Sequence, residues 1–252
     1  MINETPTVLR YKNSYLIYIF RMLDMTRMAP ADKLQNIIAD EVKFLYHLIC
    51  VIVYGSKREE SVSLLVDWCI ALGSEIKLDS LSEMYVTKLN ELNLQALHPG
   101  KYTLSFATIW DSIHYLCLLG DALILNRADF DSAIVSGIVR NLKNVFYNIF
   151  IILFCPICAR HYLTVNIFPY ELEKIEVALY RETKGEPIIM VNEENKMTSA
   201  KNVLVYNNLI YKSMVFHNHV NSYRPIQHNN DNLNNFERMD WATYKLQLGI
   251  NN

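Results

Sequence analysis

Apolar residues recur along the first half of the chain at three- and four-residue intervals, the spacing that lays one face of a helix on a core. Leu34–Tyr54 carries Ile37, Ile38, Val42, Leu45, Ile49 and Val53 near this spacing, after a start signal at Pro30-Ala31-Asp32. Tyr15–Met28, Glu60–Leu72 and Ser80–Leu94 are further helical segments, the last with Asp79 or Ser80 as its cap. Gly55-Ser56-Lys57 and Gly73-Ser74 supply the breaks. His98-Pro99-Gly100-Lys101 is the clearest punctuation and sets a boundary: a helical subdomain over 1–98 and a second domain over 99–252. From Thr103 to Leu125 the residues Phe106, Ile109, Trp110, Ile113, Cys117 and Gly120 form one stripe. Helices are predicted from about Phe130 to Phe154, from Pro156 to about Arg181 with a break near Pro169, from about Ala200 to Tyr223, and from Arg238 to Leu248. Lys184–Lys201 is polar and reads as an inserted loop, with a β-like run, Pro187–Val191, suited to a minor hairpin strand. Gln227–Asn235 is an asparagine-rich tail. The fold class is all-α, a helical bundle preceded by a second helical subdomain.

Composition sharpens this picture. Only seven glycines and seven prolines occur in 252 residues, which favours long elements over a many-turned β sandwich. Half of the residues are apolar, enough for a sizeable core. A net charge of −2, with no basic stripe, gives no field for nucleic acid. The two most apolar windows, Phe44–Tyr54 and Val145–Cys155, fall short of the roughly 18 residues a membrane span needs. Glu4 stands where a signal peptide carries lysines, so neither a transmembrane segment nor a secretory signal is expected.

Five cysteines without a secretory signal make a poor disulfide framework. Cys50, Cys69 and Cys117 sit among apolar neighbours and read as buried free thiols. Cys155-Pro156-Ile157-Cys158 differs. If Cys155 takes a helix cap, Pro156 the first helical position and Cys158 the third, the two sulfurs can meet as a disulfide. The unpaired amides and dipole of that helix start then favour a thiolate. Three other readings stay open on this motif alone: half a zinc site with His161 as a third ligand, a thioredoxin-like motif in the wrong secondary-structure context, or coincidence.

Two further motifs change the weighing. Trp110-Asp111-Ser112-Ile113-His114 puts an indole and an imidazole at i and i+4 on one helix face. His217-Asn218-His219-Val220-Asn221 repeats the device downstream. A tryptophan on such a stripe is usually core, and a lone histidine such as His47 is usually satisfied locally. Several polar groups on apolar helices instead suggest a shared ligand with many hydrogen-bonding atoms and a flat ring, as in a flavin dinucleotide.

The ordered set W-x-x-x-H, C-x-x-C and H-N-x-V-N resembles the Erv/ALR family of FAD-dependent sulfhydryl oxidases. Cys158-Ala159-Arg160-His161-Tyr162 is similar to a C-x-x-H-[FY] continuation found in part of that family. Thr108-Ile109-Trp110-Asp111, Phe216-His217-Asn218-His219 and the long helical N-terminal half resemble its baculoviral branch. The family match covers roughly Thr103–Tyr223, and the viral one the whole chain.

The resemblance implies an enzyme that oxidises protein thiols to disulfides and reduces molecular oxygen to hydrogen peroxide, with FAD as cofactor and no metal. Cys155 and Cys158 would be the catalytic pair, Cys155 meeting the substrate. Trp110, His114, His161, His217, Asn218 and Asn221 would contact FAD. It also implies a homodimer, protein thiols as partners, and an infected cell (cytoplasm or nucleus) and virion as locations. Departures are the Lys184–Lys201 insertion and the absence of a cysteine after Cys158 or of a second CxxC shuttle. The rival reading is a non-enzymatic helical interaction protein whose CxxC is vestigial or binds zinc.

Overall fold

In a computed structural model the protein is described over residues 2–55, 57–149, 156–165, 167–192 and 201–250, leaving out the side chains of Ile157, Cys158, Gln227, His228, Leu233 and Asn234. The helices are α1 (Pro6–Met28), α2 (Asp32–Tyr54), α3 (Glu59–Ala71), α4 (Leu78–Glu91), α5 (Phe106–Leu125), α6 (Ser132–Asn148), α7 (Pro156–Val165), α8 (Ile167–Thr183), α9 (Asn208–His228) and α10 (Trp241–Leu248). Two short strands, β1 (Ile189–Val191) and β2 (Val203–Val205), interrupt them between α8 and α9. The all-α expectation holds. The chain packs as two units, Leu9–Tyr115 and the residues up to Val8 together with those from Leu116 onward, so the division falls inside α5.

In the first unit the predicted stripes become the core. Tyr15, Phe20 and Leu23 of α1, Leu45 and Ile49 of α2, Leu65 of α3 and Tyr85 of α4 are fully buried. The buried hydroxyls are satisfied: Tyr15 donates to the Leu45 carbonyl at 2.7 Å, and Tyr46 and Tyr85 share a bond of 2.8 Å. Gly55 ends α2 in the left-handed conformation that the break signal implied, its amide bonding the Cys50 carbonyl. His47 is satisfied by a loop carbonyl, with Nδ1 2.8 Å from the oxygen of Lys57. One cap differs from expectation. Lys77, with no side-chain cap bond, precedes α4, and Asp79 lies inside its first turn, where its charge still complements the helix dipole.

The second unit is organised around a close crossing of helices. A Cβ on Gly120 of α5 would stand 2.7 Å from Leu209 Cδ1 and 2.9 Å from Leu142 Cδ2, so any larger residue there would force the tips of both leucines, on α9 and α6, to move. The next residue, Asp121, is buried, and its two carboxylate oxygens accept the amides of Leu209 and Ile210 at 3.1 and 2.9 Å. These are amides of the first turn of α9 that no helix carbonyl can take, so Asp121 caps α9 from another element. Arg127, just after α5, grips Glu182 near the end of α8 through three contacts of 2.9–3.2 Å. Thr5 donates to the Gln247 carbonyl at 2.6 Å, and Asn3 bonds the Gly249 carbonyl, which ties the N-terminal segment to α10.

The inserted segment departs from expectation in two ways. Ile189–Val191 is a strand, but its partner is Val203–Val205 in parallel register, not a hairpin neighbour. Residues 201–207, predicted as part of the start of a helix, instead include that partner strand, and α9 starts only at Asn208. The cause is local. The Asn202 amide donates to the carbonyls of Ala178 and Glu186 at 3.0 and 2.8 Å, fixing an extended start, and Val203 and Val205 supply β-branched residues. At its other end α9 runs past Tyr223 to His228, with Pro225 inside it. The break expected near Pro169 is present: α7 ends at Val165 and α8 begins at Ile167, which puts Pro169 in the first turn of α8, where its missing amide costs little.

By length and composition α5 could cross a membrane, and 83% of its most apolar window is buried within the protein, as in a core helix. Cys50, Cys69 and Cys117 are free and buried, as the sequence suggested. Burial pushes the first two thiols up to about 11 and about 12, so they stay protonated and unreactive at neutral pH.

Burial also raises the Asp121 carboxyl from 3.8 to about 7, against the lowering effect of its two amide bonds. The folded state therefore holds this proton more tightly than the unfolded chain does, and the stability this contributes is lost as pH rises through about 7. Glu41, raised to about 7 by burial in the other unit, acts in the same direction. The urea midpoint should fall between pH 5 and pH 8, and Asp121→Asn should make that fall shallower. An unchanged slope would contradict the burial of a titrating Asp121.

Candidate redox site

The CxxC sits where α7 begins. Cys155 lies outside the described residues. Pro156 opens the helix at the position that suits its fixed φ, and Cys158 is the third helical residue, one of the positions whose amide has no partner within the helix. A ten-residue helix is marginal alone and must be held by packing. An aromatic cluster does this. Phe146 of α6 stacks on Phe168 of α8 at 4.6 Å, while Tyr162 of α7 meets Phe216 of α9 edge-on at 5.6 Å. Phe168 and Phe216 close the set at 5.7 Å. The Tyr162 hydroxyl donates to the Phe146 carbonyl at 2.6 Å, satisfying an oxygen in the last turn of α6. The end of α6 and the second half of α7 are thus locked together.

His161 stands one residue before that anchor. Its ring stacks on His219 and on Tyr223 of α9, each at 4.9 Å and within 26° of parallel. Its Nε2 is the one buried side-chain nitrogen or oxygen without a hydrogen-bond partner among the described residues. Such an atom calls for a ligand, because leaving it unpaired costs about 1–3 kcal/mol. Desolvation first, and His219 second, lower the pKa of His161. His217 is lowered further, to about 4, by burial, so both rings are neutral at physiological pH. A neutral imidazole offers one donor and one acceptor, which suits a ring edge that carries both.

The remaining expected residues are placed as follows. Trp110 and His114, in the first unit, lie together on α5 with ring centroids 6.1 Å apart, and Tyr11 of α1 stacks on His114 at 5.3 Å. His217, Asn218 and Asn221 are half-buried on α9. Asn218 is already engaged: its amide donates to the Met239 carbonyl at 2.8 Å and its oxygen accepts the Met239 amide at 2.9 Å. Sequence reasoning passed over Tyr11, His219 and Tyr223. His219 and Tyr223 do lie one and two turns along the face beyond Val215, a spacing that could have flagged them, whereas nothing in sequence links Tyr11 to His114.

The orphaned Nε2, the flat stack beside it and two neutral imidazoles fit a flavin dinucleotide, which presents a planar ring with donors and acceptors along its edge. Groups of three or more metal-ligating side chains do not occur among the described residues.

A family model described as Baculovirus P33 matches residues 5–250. The chain is 35% identical over 258 residues to a protein of Autographa californica nuclear polyhedrosis virus named FAD-linked sulfhydryl oxidase, covering 99% of this chain and 100% of that one. It is 33% identical over 282 residues to a 33 kDa early protein of Orgyia pseudotsugata multicapsid polyhedrosis virus, again over 99% of this chain and 100% of the relative.

Replacing Tyr162 by Phe keeps the aromatic cluster and removes only the bond to Phe146. Stability should drop by about 1–3 kcal/mol, as expected for a buried carbonyl left without its donor. Denaturant unfolding measures this, and an unchanged midpoint would mean that the bond does not hold α7.

Proposed function

The chain belongs to the Baculovirus P33 family, and from this we propose that it is an FAD-dependent sulfhydryl oxidase, oxidising protein thiols with molecular oxygen as the final acceptor. The observation that carries the reading to particular residues is the CxxC at the start of a short, packed helix, followed three residues on by a half-buried imidazole whose buried Nε2 has no partner among the described residues.

The residues act in a definite order. A substrate thiolate attacks Sγ of Cys155, forming a mixed disulfide and expelling Cys158 as a thiolate. Free amides and the dipole at the start of α7 favour that thiolate. A second substrate thiolate attacks the substrate sulfur of the mixed disulfide, releasing the product disulfide and the thiolate of Cys155. The pair then holds two electrons more than before. When bound, FAD supplies a two-electron acceptor for this dithiol and a route from it to oxygen, which is reduced to hydrogen peroxide.

The cofactor contacts follow the resemblance: Trp110 and His114 on α5, His161 on α7, and His217, Asn218 and Asn221 on α9. His161 and His217 orient it as neutral rings. Asn218 also pins the segment before α10 to α9 through Met239 and keeps one amide hydrogen and one lone pair for a further contact. As a unit of function, residues 99–252 form the cofactor-binding part and residues 1–98 a helical part without cofactor motifs. Membership of the wider Erv/ALR group, a homodimer, and a place in the infected cell and the virion complete the proposal, on the strength of the sequence resemblance.

Cys158→Ser should abolish dithiol oxidation while FAD stays bound, as judged by its visible absorption. Turnover at the wild-type rate in that variant would assign the chemistry elsewhere.

A further inference from the structure

One cleft in the second unit plays no part in the chemistry above. It has a volume of about 600 Å³ and runs along α8 from Tyr170 to Arg181, with β2 on another wall. The span from Tyr170 to Arg181 is about 16 Å at about 1.5 Å of rise per residue, the reach of about five residues of extended chain. Tyr170 lies in the first turn of α8, which follows directly on the CxxC helix, and the cluster of Phe146, Tyr162 and Phe168 makes α6, α7 and α8 one packed body. The cleft therefore shares a rigid frame with the helix that presents Cys158.

Its lining combines apolar surface with unspent positive charge. Tyr170 and Val177 are 56% and 51% exposed, high for large apolar side chains lining a concavity. The three carboxylates of the cleft are each served internally. Asp121 holds the amides of α9, Glu171 receives Asn208 at 2.8 Å and Lys174 at 3.1 Å, and Glu173 accepts the Tyr147 hydroxyl at 2.8 Å. Arg181 and Lys201 differ. Both are exposed, Arg181 reaches only the carbonyl of Lys201, and neither forms an ion pair among the described residues. Along the same wall the register of β2 sets Asn202 and Tyr206 toward β1, so Val203 and Val205 turn their backbone groups the other way. Main-chain pairing with an extended segment is the usual use of such groups.

We propose that this cleft docks an extended, acidic segment of the protein substrate, with Arg181 and Lys201 reading its charge and the Tyr170–Val177 surface its apolar side chains. This rests on the oxidase reading and names the kind of substrate that site serves. The cleft sets which proteins are presented to the CxxC and leaves the thiol chemistry unchanged, so a small dithiol that cannot fill it is indifferent to it.

The experiment compares the wild-type protein with the double variant Arg181→Gln/Lys201→Gln on three reduced substrates: dithiothreitol, a dicysteine peptide flanked by glutamates, and the same peptide flanked by lysines. Wild type should show the lowest peptide KM for the glutamate form. The variant should raise that KM by about tenfold with kcat unchanged, leave dithiothreitol kinetics as they were, and erase the difference between peptides. Equal wild-type KM for the two peptides, an unaffected variant, or an equal change with dithiothreitol would overturn the proposal. Fluorescence anisotropy of the same peptides with serine for cysteine reads docking without turnover. A protein that binds the glutamate peptide in a manner dependent on Arg181 and Lys201, yet oxidises no dithiol, would keep the cleft and sink the oxidase.

Discussion

The hydroxyl of Tyr162, donating to the last turn of α6 from inside an aromatic cluster, is the contact on which the redox arrangement depends. The described part of the CxxC, Pro156 to Cys158, forms the first turn of α7, a helix of only ten residues. A short helix cannot fix its own position. The bond to Phe146 and the rings of Phe168 and Phe216 fix it from three elements at once, and its first turn carries amides that no helix carbonyl can take. Burial of Tyr162 holds its hydroxyl protonated, and hence a donor, throughout the physiological range.

A second constraint works at the other end of α9. Gly120 lets α5 approach, and Asp121 then takes the helix-start amides of Leu209 and Ile210. Cys117, one turn earlier on α5, interacts with Ser213, one turn later on α9, so the two segments run antiparallel. With its start fixed by Asp121 and its middle by Phe216, α9 carries His217, Asn218, His219, Asn221 and Tyr223 on a rigid rod. The burial that makes Asp121 an awkward group to ionise and His217 a neutral one has the same origin: a helix pressed into an apolar core with its polar positions rationed to sites that can use them.

Much of this was legible in the residues. Long apolar stripes with few glycines and prolines predict helices, and the helices lie close to where the stripes put them. Pro156 marks the opening of α7 because proline fits that position and few others. The strand at Ile189–Val191 follows its β-like pattern, whereas its parallel partner and the late start of α9 are decided by contacts far along the chain. Asn202 finds the carbonyls of Ala178 and Glu186, and Asp121 delays the start of α9 to Asn208, neither of which is written in the local pattern of 200–207. The site shows the same division. His161 and His217 stand out as polar residues on apolar helices, but the Asn218–Met239 clamp and the stack on Tyr223 exist only once α9 and its neighbours are folded.

Among direct tests, the visible absorption of the purified protein, before and after a small excess of dithiothreitol in air, bears most closely on the central claim. The account predicts a flavin band that bleaches on addition of the dithiol and returns as oxygen is consumed and peroxide forms. A colourless protein that takes up no added FAD, or a bound flavin indifferent to dithiol, would contradict it and leave a helical protein whose CxxC serves some other end.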